Sequence, residues 1–594
     1  TTNCRLITAL HRRPTPPGPG ARPPISFSGL CWVSAMSAIT TELRDDETSF
    51  DNVIVGAGSA GCVLAARLSE DSDRTVLLIE AGNRPRGIVA RMPAAAGINF
   101  VRPGLNWCLE TVPQRELVNR RVFIAAGKGL GGSSAINAMC YMRGHPDDYN
   151  GWAEGGAKGW AYADVLPYFK RNEAYDSGGD PTYRGQRGPF VTTKAQIHGR
   201  LQEAFVAAGD DDEAGLTDDP NGFRQEGFFT CDRAIRRGER VSSSTAYLDP
   251  ILDRPNLRIL TGAAAHRVVL ENRRAVGVAY ATDGQLRQVR ARHEVILSAG
   301  AIRSPHLLML SGIGPADHLG DNGITVEADL PAVGAHLEDH VEVQVTFGCR
   351  QPVSHSRYMR ADRKLAAGLR WLLFKDGIGA TTGFEAGALI RSTSNLPSPN
   401  MQIFLYPALF DETLPTAGVH GFGLGMNLNR CQSRGTIRLD SSDPTAQPSI
   451  DPAYLTEPDD LELLVDAVER ARAIVASSSF DGLRGEEIGP GSKARSRSDI
   501  AQWVRHVLIG NWHLAGTCRM GNGSDTVTDS QGRVHGIERL RVVDASSMPR
   551  VVNANLAATV MMMAEKISDP IRERPALEPQ PAPYAGAPAM AVMS

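Results

Sequence analysis

The chain has 594 residues, more than a single core accommodates, so two large domains are expected. Hydrophobic residues at 42% and charged residues at 22% suit a globular protein, and a net charge of -3 leaves no basic excess for nucleic acid. Nine cysteines stand singly, without the paired spacing of a disulfide framework or zinc ribbon, which points to a reducing interior and no metal site.

In chain order, residues 1–48 include HRRPTPPGPGARPPISFSG, rich in Pro and Arg and without a patterned core. They read as a disordered leader, with a natural start at Met36. Ordered sequence opens with NVIV, a short apolar run of the kind buried on both faces of a parallel sheet. It leads into Gly56-x-Gly58-x-x-Gly61, then a helical CVLAARLSE, then the apolar TVLLIE ending in Glu80. Strand, glycines, helix, strand and acid together form a dinucleotide-binding unit. Gly56 permits the tight turn, Gly58 lets backbone approach a pyrophosphate, and Gly61 lets the helix pack close to the sheet. Glu80 would accept from a ribose hydroxyl, which disfavours a 2′-phosphorylated cofactor but does not separate FAD from NAD.

The glycine-rich AAGKGLGGSSAINAM follows at 125–139, its amides able to face an anion or a flavin edge. EVILSAGAIRSPHLLMLSGIGP repeats the strand-then-glycine grammar, with Pro305 expected near the first turn of a helix. Near the C-terminus, NWHLAGTCRMG carries His513, which could be a proton acceptor, a metal ligand or a packed core residue. No His/Asp/Glu cluster at ligand spacing surrounds it, which disfavours the metal. No apolar run reaches the roughly 18 residues of a membrane span. VMMMA at 560–564 is halted by Glu565 and Lys566, and the Pro-rich 573–594 reads as a disordered tail.

GAGSAG, GKGLGGSSAIN, GAIRSPHLLMLSGIGP, WHLAGTCRMG and VVDASSMPRVVNANLAATVMMMAEKI occur in the order found in the glucose–methanol–choline family of FAD-dependent alcohol oxidoreductases, and the chain resembles that family over residues 49–572. The resemblance implies an α/β fold (α+β overall): a Rossmann-type FAD-binding domain and a substrate-binding domain built on an antiparallel sheet. Residues 49–320 would belong mainly to the first, 321–509 to the second, and 510–572 would return to the flavin domain with the catalytic residues. By motif position, Gly56, Gly58, Ser59, Ala60, Gly61, Glu80, Ala81, Gly132, Ser133, Asn137, Ala138 and Met139 would line the FAD. Ala265, Trp512, Asp544, Ala545 and Asn555 would complete that lining. Ile136 stands where some relatives carry a histidine bonded to the flavin, so dissociable FAD is expected.

Oxidising an alcohol requires a proton acceptor for the hydroxyl and a donor for the developing alkoxide. The resemblance assigns His513 as acceptor and Asn553 as its partner, with His340 and His506 as rival histidines. VGAHLEDHVEVQV resembles the choline-oxidising branch, where Glu342 would hold a trimethylammonium head, aided by Trp512, Phe384 and Trp107. A quaternary ammonium donates no N–H, so a carboxylate and aromatic faces suit it. The alternation in VEVQV also fits Glu342 on a solvated strand face. Aliphatic or aromatic primary alcohols remain the alternative substrates, because HSRYMRADRKLAAGLRWLLF is more basic than a cationic substrate's entrance would favour. A non-redox flavin protein, a hydroxynitrile lyase or a photodecarboxylase, is the second alternative. Asn429 stands at the cysteine position of the photodecarboxylases, which disfavours that option. The acceptor would be a quinone or O₂, and transfer to a membrane quinone would place a cytoplasmic protein peripherally at the inner face of the membrane.

Overall fold

The structure, a computed structural model, describes residues 38–411, 414–415 and 418–587. Two large sheets organise it. In the first, six parallel strands run in the spatial order Ile39–Thr40, Leu257–Thr261, Val76–Glu80, Ser49–Val55, Gln285–Leu297, Leu540–Val542. Stretches far apart in sequence thus build one nucleotide-binding layer. The glycine unit lies at its centre, and the C-terminal strand at one edge. Strand Gln285–Leu297 is long enough to continue into an antiparallel extension with Arg274–Thr282 and Ala264–Glu271.

The parallel strands read as unbroken apolar runs because helices cover both faces. Helix Ser59–Leu68 packs against the C-terminal helix Leu556–Ile571, which in turn meets Tyr162–Asn172. Met561, Met562 and Met563 are fully buried between them, so VMMMA is core. Glu565 is a fully buried charge on that helix. Its buried carboxylate pairs with Arg67 at 2.8 Å and Arg171 at 2.6 Å, which welds three helices. Among the described residues, no helix is long and apolar enough to cross a membrane.

The second sheet is antiparallel, in the order Arg484–Gly489, Val341–Cys349, Gly421–Leu428, Met401–Tyr406, Ala386–Ile390, Gly227–Thr230. Its period-2 pattern divides it cleanly. Val341, Val343, Val345, Ile403, Leu405, Leu424 and Met426 face helix Pro458–Ala476. Glu342, Gln344, Gln402, Phe404, Tyr406 and Asn427 alternate with them and take the opposite face. That face is not open to water: Glu342 is only 2% exposed.

Three expectations change. The proposed leader lies outside the described residues as far as 37, but Ile39–Thr40 forms an edge strand beside Leu257–Thr261. The Pro-rich end is placed against the body as far as 587. The Leu577 amide donates to Tyr168 Oη, the Gln580 amide to Ala163 O, and Tyr584 Oη to Asp147. Tyr584 stacks edge-on against His145 and Tyr162, so a few aromatic contacts hold a tail that has no helix or strand. Finally, Pro305 sits inside helix Gly300–Leu310 rather than in its first turn. The carbonyl its missing N–H leaves unpaired is that of Ala301, and Thr517 Oγ1 donates to it at 2.6 Å. The threonine of the HxxGT motif therefore repairs a proline-interrupted helix.

Candidate active site

The glycine-rich segments meet at one groove. A Cβ on Gly61 would lie 1.9 Å from Gly56 O, so no other residue lets this helix approach its strand so closely. A Cβ on Gly132 would lie 2.7 Å from Gly58 Cα, which shows the second glycine loop pressed directly on the first. Helix Ser59–Leu68 and the turn Gly132–Ala135 both start without a side-chain cap. The first amides of the helix are therefore available to an anionic diphosphate, whereas in the turn Gly132 N already donates to Gly129 O at 2.8 Å and Ser134 N to Gly131 O at 3.0 Å. Glu80 ties the loops together: its oxygens accept from Ala57 N at 2.8 Å, Gly82 N at 2.8 Å and Gly129 N at 2.9 Å. Ser59, Ala81, Ser133, Asn137, Ala138 and Ala265 keep partial or full exposure around this groove, while Ala60 and Met139 are buried behind it. The Asp544 carboxylate is committed to the protein, accepting from Gly300 N at 2.8 Å, Ser304 Oγ at 2.6 Å and Ser546 N at 2.8 Å. It fixes Ala545 and the C-terminal strand's exit against helix Gly300–Leu310. Ile136 is buried with Leu105, Ala125 and Trp512 and offers no nucleophile for a flavin bond.

His513 is placed from both sides. Asp339 Oδ1 accepts from its backbone amide at 2.7 Å, while Asp339 Oδ2 accepts from Tyr454 Oη at 2.6 Å. Burial pushes that Asp339 carboxyl up to about 7. The next residue, His340, holds the ring: His340 Nδ1 and His513 Nδ1 lie 2.9 Å apart. His340 Nε2 is 2.9 Å from Val552 O, a group that can only accept. Burial holds both imidazoles well below the usual histidine range, His513 down to about 4, so both are neutral at pH 7. The proton pattern follows. His340 donates from Nε2 to Val552 O and accepts at Nδ1, so His513 must carry its proton on Nδ1. His513 Nε2 is then an unprotonated base.

Facing that nitrogen at 3.2 Å is Asn555 Nδ2. Gln402 Nε2 donates to Asn555 Oδ1 at 3.2 Å, which turns the amide so that its N–H points to His513. Asn553, the expected partner, is elsewhere. Its Oδ1 accepts from His145 N at 2.8 Å, and its Nδ2 donates to Gln225 Oε1 at 2.8 Å and Pro399 O at 2.9 Å. Every polar atom of its side chain is spent joining loops. In NAN the two asparagines cannot be told apart by spacing to His513; only the contacts select the second. Asn555→Ala should therefore slow flavin reduction roughly 10²-fold with little change in melting temperature. Asn553→Ala should lower stability by about 1–3 kcal/mol, seen as a fall in Tm, because it strips buried partners.

Of the rival histidines, His340 is in the site and His506 is exposed, its Nδ1 2.8 Å from Gln502 O. Glu342 stands two residues after His340 on the same strand face, about 7 Å along. Tyr406 Oη lies 2.9 and 3.0 Å from its two oxygens, and Gln344 Nε2 donates at 2.9 Å. Burial pushes the Glu342 carboxyl up to about 7. Phe384 packs edge-on to Tyr406 at 5.1 Å between centroids, and Phe410 does so at 5.7 Å. These rings make an aromatic wall; of the expected Trp512, Phe384 and Trp107 it contains Phe384, and the alternation in MQIFLY is the signal for Tyr406. Trp512 does not join it. Its ring sits against Phe100 and Phe123, at 5.0 and 6.1 Å, on the side of the glycine loop. Trp107 is no cage wall either, since Lys128 and Arg303 cover its ring at 4.5 and 4.4 Å.

An uncapped dinucleotide groove together with a neutral base facing an amide donor fits a dinucleotide-dependent oxidoreductase. Residues 50–342 and 431–564 match the N- and C-terminal models of the GMC oxidoreductases. The chain belongs to that family and is an FAD-dependent enzyme of it. It is 44% identical over 542 residues to an oxygen-dependent choline dehydrogenase of Paraburkholderia phymatum, covering 90% of this chain and 94% of that one. It is 42% identical to the mitochondrial choline dehydrogenase of Mus musculus, covering 92% and 93%. Among solved structures, a pyridoxine 4-oxidase from Mesorbium loti superposes with a TM-score of 0.79 at 31% identity, covering 88% of this chain and 99% of that one. A formate oxidase variant of Aspergillus oryzae gives 0.82 at 26%, covering 89% and 98%.

Proposed function

We propose that the enzyme oxidises choline to betaine aldehyde. The observation that carries this reading is Glu342, a buried carboxylate beside an aromatic wall on the strand face that also presents His340 to His513. The cationic head would lie against Glu342, Phe384 and Tyr406, where charge and ring faces favour it without any N–H donor. The hydroxyl would lie within reach of both His513 Nε2, which takes its proton, and Asn555 Nδ2, which donates to the alkoxide oxygen. The backbone bond to Asp339 and the ring bond to His340 fix the base before substrate arrives. FAD, when bound, supplies the hydride acceptor at its N5. Gly56, Gly58, Gly61, Glu80 and Gly132 would hold it, with Ser59, Ser133 and the Ala545 segment along its length. Since Ile136 replaces a nucleophile, acid precipitation of the purified enzyme should release the flavin into the supernatant; flavin left in the pellet would contradict this.

The acceptor is of the quinone or O₂ class, and the similarity to oxygen-dependent bacterial choline dehydrogenases supports including O₂. A panel of choline, 1-alkanols and aryl alcohols, run with O₂ and with a soluble quinone, tests the substrate. Preference for choline is expected; strong turnover of 1-alkanols with none of choline would replace this reading with an aliphatic alcohol oxidoreductase.

A further inference from the structure

Helix Ala361–Phe374 is built the wrong way round for a surface helix. One fully buried side chain, Trp371, fixes it to the body, its Nε1 donating to Gly238 O at 2.7 Å and its ring covered by Lys375 Nζ at 3.7 Å. The opposite face carries Leu365, Leu369, Leu372 and Leu373 at i, i+4, i+7 and i+8, exposed by 65, 50, 47 and 71%. Phe374, at the helix end, is 69% exposed. An apolar stripe in water on a firmly anchored helix is a cost that a monomer alone does not recover.

The flanks identify what would cover it. Residues 355–376 hold six Arg and Lys against two Asp, a local net charge of +4 on a chain whose total is -3. Arg360 and Arg370 each pair with an aspartate, and Lys375 with Glu239, but Arg363 and Lys364 make no salt bridge among the described residues. A leucine stripe between basic flanks, on a helix lying flat along the surface, matches acyl chains bordered by phosphate headgroups. The neighbouring segment continues the patch. Gly379 packs by Met92, Glu239 also pairs with Arg91, and Ile88 and Ile98 on that segment are 52 and 39% exposed. The same segment ends at Phe100 against Trp512, beside the catalytic histidine.

We propose that helix Ala361–Phe374 docks the enzyme on an anionic bilayer surface, inserting its leucines below the headgroups and leaving the site mouth beside the membrane. This holds whichever alcohol is oxidised. The test is flotation of the FAD-loaded enzyme with phosphatidylcholine vesicles and with phosphatidylcholine/phosphatidylglycerol vesicles. Wild type should float with the anionic vesicles, less so at high salt. Leu369→Glu/Leu373→Glu should bind at least tenfold more weakly while keeping alcohol oxidation with a soluble dye, and Leu369→Ser/Leu373→Ser serves the same purpose should the charged pair disturb folding. Failure of wild type to float, or equal flotation of a dye-active leucine variant, would overturn the proposal. So would a dimer in light scattering that the leucine variants dissociate, with no vesicle binding, which would assign the stripe to a second copy.

Discussion

Replacing His513 by alanine is expected to slow reduction of the bound flavin by alcohol roughly 10²–10⁴-fold while FAD stays bound. The side chain supplies a base whose proton pattern is set by its neighbours. His340 can donate only toward Val552 O, which forces the His513 proton onto Nδ1 and leaves Nε2 unprotonated. Alanine removes the acceptor and leaves Asn555 with no opposing group. None of the residues that form the dinucleotide groove loses a partner, because Asp339 still holds the backbone amide at 513. Rapid mixing under anaerobic conditions measures the reduction rate, and the flavin absorbance of the purified variant measures cofactor content. Reduction at the wild-type rate would remove His513 from the chemistry. His513→Gln should be nearly as slow, since an amide restores hydrogen bonding but not basicity.

Glu342→Gln should raise KM for choline about 30-fold or more, the counterpart of the 2 kcal/mol or greater cost of stripping a buried charge of its partner. KM for a neutral alcohol should barely move. The carboxyl also gives the two substrates different pH profiles. Burial raises the free-site Glu342 to about 7, so below that pH it is protonated and neutral, and above it the carboxylate is available to a cation. For choline, kcat/KM should therefore fall about tenfold per pH unit below 7 and level off above it. A neutral alcohol should lack the Glu342 limb and lose activity as His513, held down to about 4, becomes protonated. In Glu342→Gln the choline profile should lose its limb near 7 as well. Identical profiles for both substrates in wild type would mean that Glu342 does not face the cation.

Much of this architecture is local and so was legible in the chain. The glycine unit, Glu80 and the apolar strand runs each depend on residues within a few tens of positions, and they appear in the structure where their patterns place them. The alternation in VEVQV correctly marks two strand faces, but only the fold shows that the polar face is covered. Nothing local says that Tyr406, 64 residues on, will bring its hydroxyl to Glu342. The choice between Asn553 and Asn555 likewise turns on partners from four distant segments. His340 read as a rival base; the carbonyl of Val552, 212 residues away, makes it the group that orients the base instead. Composition is a poor guide to residues 573–587 for a related reason. Proline-rich sequence lacks the pattern of a helix or strand, yet Tyr584 and a few backbone bonds suffice to hold residues 573–587 against the body.

Anaerobic mixing of the FAD-loaded enzyme with choline, following the flavin's visible absorbance, bears most directly on the central claim. The account predicts bleaching in one fast phase, abolished on the same timescale by His513→Ala and shifted to higher choline concentration by Glu342→Gln. A flavin that stays oxidised in choline yet bleaches with a neutral alcohol would contradict it.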